Sequence, residues 1–412
     1  MAVESYDALE RRDPEAREAD LLARLPGQIV HAQLNSGYFG QLLKGIESTE
    51  IDSRKALAAL PVTRKGDLIE LQKKALPFGR LTATPPGGLA RIFMSPGPIY
   101  DPEGHGKDYW RFGRALFAAG FRKGDILHNC FAYHFTPAGA MIETAAHAIG
   151  CAVVPAGTGQ TELQLRAIAD IKPNGYAGTP SFLKILFEKA AEAGVDISCL
   201  SKAMVSGEAL PPSLRADLTG HGCDVVQSYA TADLGLVAYE SQAREGMILD
   251  EGVIVEIVRP GTGDPLPDGE VGEIVVTTLN SDYPLIRFGT GDMSAILPGL
   301  SPCGRTNRRI KGWMGRADQT TKVKGMFVHP AQIAELAKRF PDLGRLRLVV
   351  SGETGQDSML LKAESADQDS ALAGKVAETL QALTKLRGTV DLVPPGSLPN
   401  DGKLIEDARS YR

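Results

Sequence analysis

The chain carries 412 residues, 43% of them hydrophobic and 23% charged, with a formal net charge of -5. That length exceeds one ordinary hydrophobic core and predicts a large domain plus a smaller one, while the composition excludes a disordered or fibrous protein. The acidic balance argues against nucleic acid as a partner. No apolar run is long enough to span a membrane, and the charged, helix-forming start MAVESYDALERRDPEAREADLL has no signal-peptide core, so the cytoplasm is the expected location.

Residues 1–90 alternate helical patterns with Pro- and Gly-marked breaks, as in LPGQIVHAQLNSGYFGQLLKGI and LPVTRKGDLIELQKKALPFG, and predict a helical lead-in. From about Lys123 to Tyr239 short apolar runs (GDILHNCFAY, CAVVPAG, GYAGTP) alternate with helix-length amphipathic stretches, which is the pattern of a parallel, doubly wound α/β sheet. Two β-rich runs flank a Gly/Pro/Asp loop in VIVEIVRPGTGDPLPDGEVGEIVVTTL and predict an antiparallel subdomain. Beyond GWMGRAD the pattern resets to a small unit with helices at AQIAELAKRF and ALAGKVAETLQALTKL and strands at LRLVV and TVDLV, which puts the boundary close to Asp318. Cys130, Cys151, Cys199, Cys223 and Cys303 are scattered without a CxxC pair and fit reduced, buried thiols better than a disulfide frame.

Polar groups at the carboxyl ends of parallel strands are where open α/β sheets bind ligands. SGEAL followed by VVQSYATADLG would put Gly207 and Glu208, then Tyr229, Thr231 and Asp233, at two such ends; a solvated loop is the alternative. YPLIRFGTGDM sets Arg287 and Asp292 in a Gly-rich turn, and a carboxylate there offers two acceptor oxygens to a ribose. GRADQTTKVKGMFVHP gathers Arg316, Asp318, Lys322 and Lys324 around Gly325, and NDGKL puts Lys403 on a loop near the end. Singly, each lysine reads as a surface residue.

The order of these pieces, with LPVTRKGDLIE, LPFG, YPLIRFGTGD, CGRTNRRIKGWMGRAD, KVKGMFVHPAQI and LPNDGK, resembles the phenylacetate–coenzyme A ligase family of the adenylate-forming superfamily along nearly the whole chain. The resemblance implies an adenylate-forming fold: residues 1–316 as a large domain with a parallel doubly wound sheet and an antiparallel subdomain, and 317–412 as a small mobile α+β lid. It implies an AMP-forming acid–CoA ligase that joins an aromatic or other small carboxylic acid to coenzyme A through an acyl-adenylate, using ATP and Mg²⁺. By position, Asp292 would bind the ribose, Arg316 the nucleotide, Asp318 would be the hinge, and Lys403 would reach the carboxylate and α-phosphate. Gly207, Glu208, Tyr229, Ala230, Thr231 and Ser95 would surround the nucleotide, with Tyr229 stacked on adenine. Lys322, Lys324 and Gly325 would face CoA. The acyl pocket would take Phe131, Tyr133, His134, Phe135 and Thr136, opposite Ala156, Gly157 and Thr179, with His134 either bonding a substituent or satisfied in the core. A homodimer is left open.

Three departures from the family pattern are legible. Its phosphate loop, approximately Ser-Ser-Gly-Thr-Thr-Gly-Lys-Pro, is replaced by Met94-Ser95-Pro96-Gly97-Pro98-Ile99-Tyr100-Asp101-Pro102, where two prolines remove N–H donors and an aspartate stands in place of a cation, so triphosphate should bind poorly. Arg91, His105 and Lys107 are sequence neighbours that could replace the missing lysine. The magnesium-associated glutamate is shortened to Asp233, and a hydroxyl is lost at Ala232. Of a Cys/His cluster found in some members only Cys303 remains, beside Glu240, Ser241, Gly246 and Ser301, so no structural zinc is expected. The alternative function is a member that holds AMP, an acyl-adenylate or an acyl-CoA, as sensor or acyl transferase, without ATP-driven activation.

Overall fold

The protein, a computed structural model, is described for residues 4–259, 261–314, 317, 321–324, 326–328, 330–352, 357–399 and 404–409. It divides into two compact units, Met1–Met314 and Gly315–Arg412.

The large unit begins with α1 (Pro14–Asn35), α2 (Gly37–Leu42) and α3 (Arg54–Ala58). Asp13 starts α1 because its carboxylate accepts the amides of Glu15 and Ala16 while Pro14 supplies a preset first turn. Leu21, Leu25, Ile29 and Ala32 recur at helical spacing and bury one face of α1 in the core that also holds Ile254, Ile274 and Phe288. The lead-in is not wholly helical, however. LPVTR supplies β1 (Thr63–Arg64), which pairs in parallel with Phe288 and Gly289, before α4 (Leu68–Lys74). That pairing was not visible in the sequence because two residues carry no periodicity, and it fixes the position of Lys65.

A hairpin of β2 (Arg91–Ser95) and β3 (Ile99–Glu103) follows, then α5 (Gly113–Ala118). The alternating stretch gives β4 (Ile126–Asn129), α6 (Ala138–Ile149), β5 (Ala152–Val154), α7 (Thr161–Ile171), β6 (Gly175–Gly178), α8 (Pro180–Ala193), β7 (Lys202–Val205), α9 (Pro212–Gly220) and β8 (Asp224–Thr231). These strands lie parallel in the order β5-β4-β6-β7-β8. The order reverses between β4 and β6, so the carboxyl ends of those two strands border the crevice where such sheets receive ligands. Antiparallel β9 (Gly235–Glu240) and β10 (Met247–Leu249) extend the sheet.

The predicted antiparallel subdomain is β11 (Val253–Val258), β12 (Gly272–Thr278) and β13 (Phe288–Ser294) with β1 at its edge. Arg287 clamps it. Its guanidinium binds both oxygens of Glu256 at 2.9 and 3.0 Å and donates to the carbonyls of Ala58, Leu60 and Gly263, all with the side chain buried. Burial pushes the Glu256 carboxyl up despite that partner. Arg287 is therefore held inside the scaffold, not presented to a ligand. Strands β14 (Ile296–Leu297) and β15 (Arg309–Ile310) close the unit against β10.

The small unit contains the hairpin β16 (Thr321–Val323) and β17 (Met326–Val328), α10 (Pro330–Arg339), β18 (Leu346–Ser351), β19 (Ser358–Glu364), α11 (Ser370–Thr384), β20 (Thr389–Val393) and β21 (Ile405–Asp407). Its four-stranded sheet runs β20-β19-β18-β21, with a core of Leu348, Val350, Leu361, Val376 and Leu380. Sequence reading found β18 and β20 and missed β19.

Candidate active site

Three pieces meet at the ends of β8 and β13. Tyr229 sits on β8 at a register shift against β9, and its hydroxyl donates to Asp292 Oδ2 at 2.8 Å. The indole of Trp313 donates to Asp292 Oδ1 at 3.0 Å. Asp292 itself is fixed on β13, its amide donating to Thr290 Oγ1. A carboxylate aimed by an aromatic hydroxyl and an indole N–H is preorganised as an acceptor for a ligand's hydroxyls. Trp313 was not singled out in the sequence; GWMG offers no spacing that ties it to Asp292.

Next to this clamp lies a buried charge cluster. The turn after β8 is held by Thr231, whose hydroxyl accepts the Leu234 amide, and it directs Asp233 inward. Lys65 Nζ meets Asp233 Oδ2 at 2.6 Å; the Asp233 side chain has no exposed surface and that of Lys65 is 27% exposed. Burial works against the Lys65 charge, but Asp233 beside it, with Asp101 and Asp292, outweighs burial and raises its pKa. Asp101, on β3, is fully buried and pushed up to about 8, first by burial and then by the like charge of Asp233, with Lys65 opposing. The Ser95 hydroxyl and amide lie beside Asp101 and favour its anion, while among the described residues neither Asp101 oxygen nor Asp233 Oδ1 makes a hydrogen bond of full geometry. Tyr283, buried and raised well above its ordinary value first by burial and then by Asp233 and Asp101, also has an unpartnered hydroxyl.

Lys65 is the cation that the structure pairs with this cluster among the described residues. Arg91 pairs instead with Glu103, and His105 and Lys107 are exposed. The phosphate-loop segment is the tight turn of the β2–β3 hairpin, with Ser95 opposite Ile99 and the Ser95 hydroxyl directed at the Ile99 carbonyl at 3.4 Å.

At the crevice between β4 and β6 the acyl-pocket candidates separate. Asn129 at the end of β4 donates to Tyr133 Oη at 2.8 Å and to the Gly139 carbonyl, and burial with Glu143 raises the Tyr133 hydroxyl. Thr179 caps α8 by accepting the Phe182 amide, Ala156 turns back onto Val154, and the Gly157 amide donates to the Asn129 carbonyl. Phe131 is buried. His134 and Phe135 are both exposed and stack edge to face at 4.7 Å, so the reading of His134 as a satisfied core histidine is corrected: its loop turns outward, with Phe135 at φ 61°. The Phe135 carbonyl accepts the Met94 amide, which ties this loop to the hairpin. Gly207 adopts φ 80°, which favours glycine in the turn after β7. Glu208 is exposed and accepts the Ser181 hydroxyl near the start of α8, while Ala230 lies at the β8 register shift.

In the small unit Lys324 is exposed and its amide donates to Asp357. Lys322 lies on β16, and its side chain is outside the described residues, as are Arg316, Asp318, Gly325 and Lys403. Around the expected remnant of a metal cluster, Glu240 pairs with Arg215, and Cys303 lies by Ser301 and Arg305. Arg305 in turn meets Glu10 at 3.0 Å, which also accepts the Tyr239 hydroxyl at 2.7 Å. An ion-pair network anchored on the N-terminal segment fills this region, and among the described residues no group of three or more His, Cys, Asp or Glu is arranged to hold a metal.

A parallel sheet with a ligand crevice at its switch point and an acceptor carboxylate fits a nucleotide-binding α/β enzyme, and residues 108–280 match the family model of AMP-binding enzymes. The chain is 30% identical to a phenylacetate-coenzyme A ligase of Aromatoleum evansii over 92% of its own length and 88% of that protein, and 29% identical to one of Thermus thermophilus over 97% of each. It belongs to the phenylacetate–coenzyme A ligase family. Its fold is shared with a 2-hydroxyisobutyryl-CoA ligase solved with 2-HIB-AMP and CoA, at a TM-score of 0.79 and 22% identity over 98% of this chain and 92% of that one. No helix among the described residues is long and apolar enough to cross a membrane.

Proposed function

We propose that this chain is an AMP-forming acid–CoA ligase for an aromatic or other small carboxylic acid. The observation that carries the reading is Asp292 fixed at both oxygens by Tyr229 and Trp313, beside the buried Lys65–Asp233 pair. In this reading Asp292 receives the ribose hydroxyls and Tyr229 borders the adenine, with Gly207, Glu208, Ala230 and Thr231 lining the nucleotide and Ser95 facing its phosphates. Lys65 supplies positive charge to the phosphates, which the β2–β3 turn no longer carries. Lys403 approaches the α-phosphate and the substrate carboxylate, because two anions must meet there and a mobile cation lowers the cost of the approach. Arg316 contacts the nucleotide, Asp318 is the hinge, and Lys322, Lys324 and Gly325 face CoA in the second half-reaction. Asp233 Oδ1 fits Mg²⁺, whose charge would offset that of the phosphates when bound. The acyl group enters at the switch point, bordered by Tyr133, Ala156 and Thr179, with His134 and Phe135 at its outer rim.

Pyrophosphate release and CoA-thioester formation over a panel of aryl and short acyl acids tests this, with silence by folded protein as the refuting result. Lys403→Ala should abolish adenylation and spare thiolysis of a supplied acyl-adenylate. The proline-bounded β2–β3 turn and the buried Asp101 favour one rival, a protein that holds AMP or an activated acyl group and makes none itself. Calorimetry that finds AMP bound and Mg²⁺-ATP refused would select that rival.

A further inference from the structure

Beside the switch point lies a buried glutamine to which the reading above gives no part. Gln164, near the start of α7, is only 3% exposed, and both ends of its amide are engaged. Nε2 donates to the carbonyls of Gly157 at 3.0 Å and Gly159 at 2.7 Å, while Oε1 meets His128 Nε2 at 2.9 Å and accepts the Cys130 thiol at 3.0 Å. Carbonyls only accept, so the orientation of the amide is forced, and with it the His128 tautomer that carries its proton on Nε2. Burial favours that neutral ring by lowering the His128 pKa, with Gln164 opposing.

The turn that Gln164 holds is neither strand nor helix. Gly157, Gly159 and Gln160 have φ of 68°, 73° and 48°, and the Gln164 side chain takes up two carbonyls that no ladder receives. From this turn the anchorage continues into the pocket. The Gly157 amide donates to the Asn129 carbonyl at 3.0 Å, and the Asn129 side chain donates to Tyr133 Oη at 2.8 Å. One side chain on α7 therefore ties the Ala156–Gly157 border of the switch point to β4 and, through Asn129, to Tyr133. Filling the core would need only a side chain of that length, whereas directed bonds at both ends of an amide are what a held turn requires.

We propose that Gln164 is a positioning residue for the acid: by holding the Gly157–Gly159 turn against β4 it fixes the width of the acyl pocket and so decides which carboxylic acids fit. Gln164 acts through Gly157, Asn129 and Tyr133 and not by contact with the acid. The inference rests on the acid–CoA ligase reading and adds to it a residue that sets acyl selectivity.

The test compares the full chain as wild type, Gln164→Leu and Gln164→Glu. Leucine keeps most of the bulk and loses every bond of the amide; glutamate keeps the length and loses the pair of donors to the turn. KM is measured separately for ATP and for benzoate, phenylacetate and butyrate, and acid binding in the presence of AMP is read from ¹⁹F line broadening of a fluorinated phenylacetate, which needs no turnover. Each folded variant should raise KM for the best acid about tenfold, as for one or two lost hydrogen bonds, and leave KM for ATP within about twofold. The spread of kcat/KM across the acids should narrow. Gly159→Ala strains the same turn at an exposed position with open space for a Cβ, and should give the same split if the Gln164 variants do not fold. Folded variants with the acid KM and acid preference of wild type, or with acid and ATP KM raised in parallel, overturn the proposal and keep the ligase. Binding of the fluorinated acid that depends on Gln164, in a protein that makes no thioester, keeps the positioning role and removes the ligase. Neither thioester nor bound acid in wild type removes both.

Discussion

Replacing Lys65 by methionine removes the positive charge that meets Asp233 at 2.6 Å and keeps most of the side chain's length. Breaking a buried ion pair from one side costs roughly 3–5 kcal/mol because the remaining charge is left uncompensated. Asp233 is fully buried, but the Lys65 side chain is 27% exposed, so water can follow the vacated ammonium and about 2–3 kcal/mol is the expected loss. In a unit of this size that lowers the melting temperature by about 3–5 °C. If Lys65 also stabilises charge on the phosphates, adenylation should fall by about 10²–10³-fold, the usual effect of deleting one preorganised electrostatic contact. Thiolysis of a supplied acyl-adenylate should change little. The two half-reactions are assayed separately, by pyrophosphate release and by thioester formation, alongside thermal unfolding. A Lys65→Met protein that is folded and adenylates within threefold of wild type would refute the catalytic assignment. Recovery of stability in Lys65→Met/Asp233→Asn with no loss of adenylation would mark the pair as structural only.

Arg287→Lys should destabilise the large unit by about 3–5 kcal/mol in denaturant melts, because a single ammonium cannot reproduce the bidentate contact with Glu256 and three carbonyl bonds at once. Tyr229→Phe removes the donor to Asp292 Oδ2 and should raise the AMP dissociation constant about 5–10-fold by calorimetry, in line with one hydrogen bond; unchanged affinity would remove Tyr229 from the clamp. Asp108, half-buried and at φ 50°, has its carboxyl pushed up to about 7, mainly by burial with Asp250 adding to it. For an acid raised on folding, the stabilising contribution is complete below the ordinary carboxylate value and is lost as pH rises through the folded value. The melting temperature should therefore decline between about pH 4 and pH 8, with the contribution bounded by about 4 kcal/mol. Asp108→Asn tolerates the left-handed backbone and should flatten that decline.

Much of the scaffold was legible because its signals are local. The run of strands and helices from Ile126 to Thr231 follows hydrophobic period. The antiparallel subdomain was carried by two β-rich runs around a Gly/Pro/Asp loop. Individual site members such as Tyr229, Asp233 and Asp292 could be named because motif order placed them. Their relations could not, since neither the donors to Asp292 nor the partner of Asp233 is encoded by spacing.

By itself the sequence determined the alternating α/β pattern, the antiparallel subdomain, the family and the altered composition of the phosphate loop. Tertiary structure alone decided what that alteration means. Lys65 and Asp233 are 168 positions apart and meet only because a two-residue strand docks on Phe288 and Gly289. Asp101 reads in the sequence only as an aspartate in place of a loop cation, and it becomes a fully buried carboxylate when β3 folds into the β2–β3 hairpin. The physical reason is the same in both cases: hydrophobic period is written along the chain, whereas desolvation and charge compensation arise only from what the folded chain brings together.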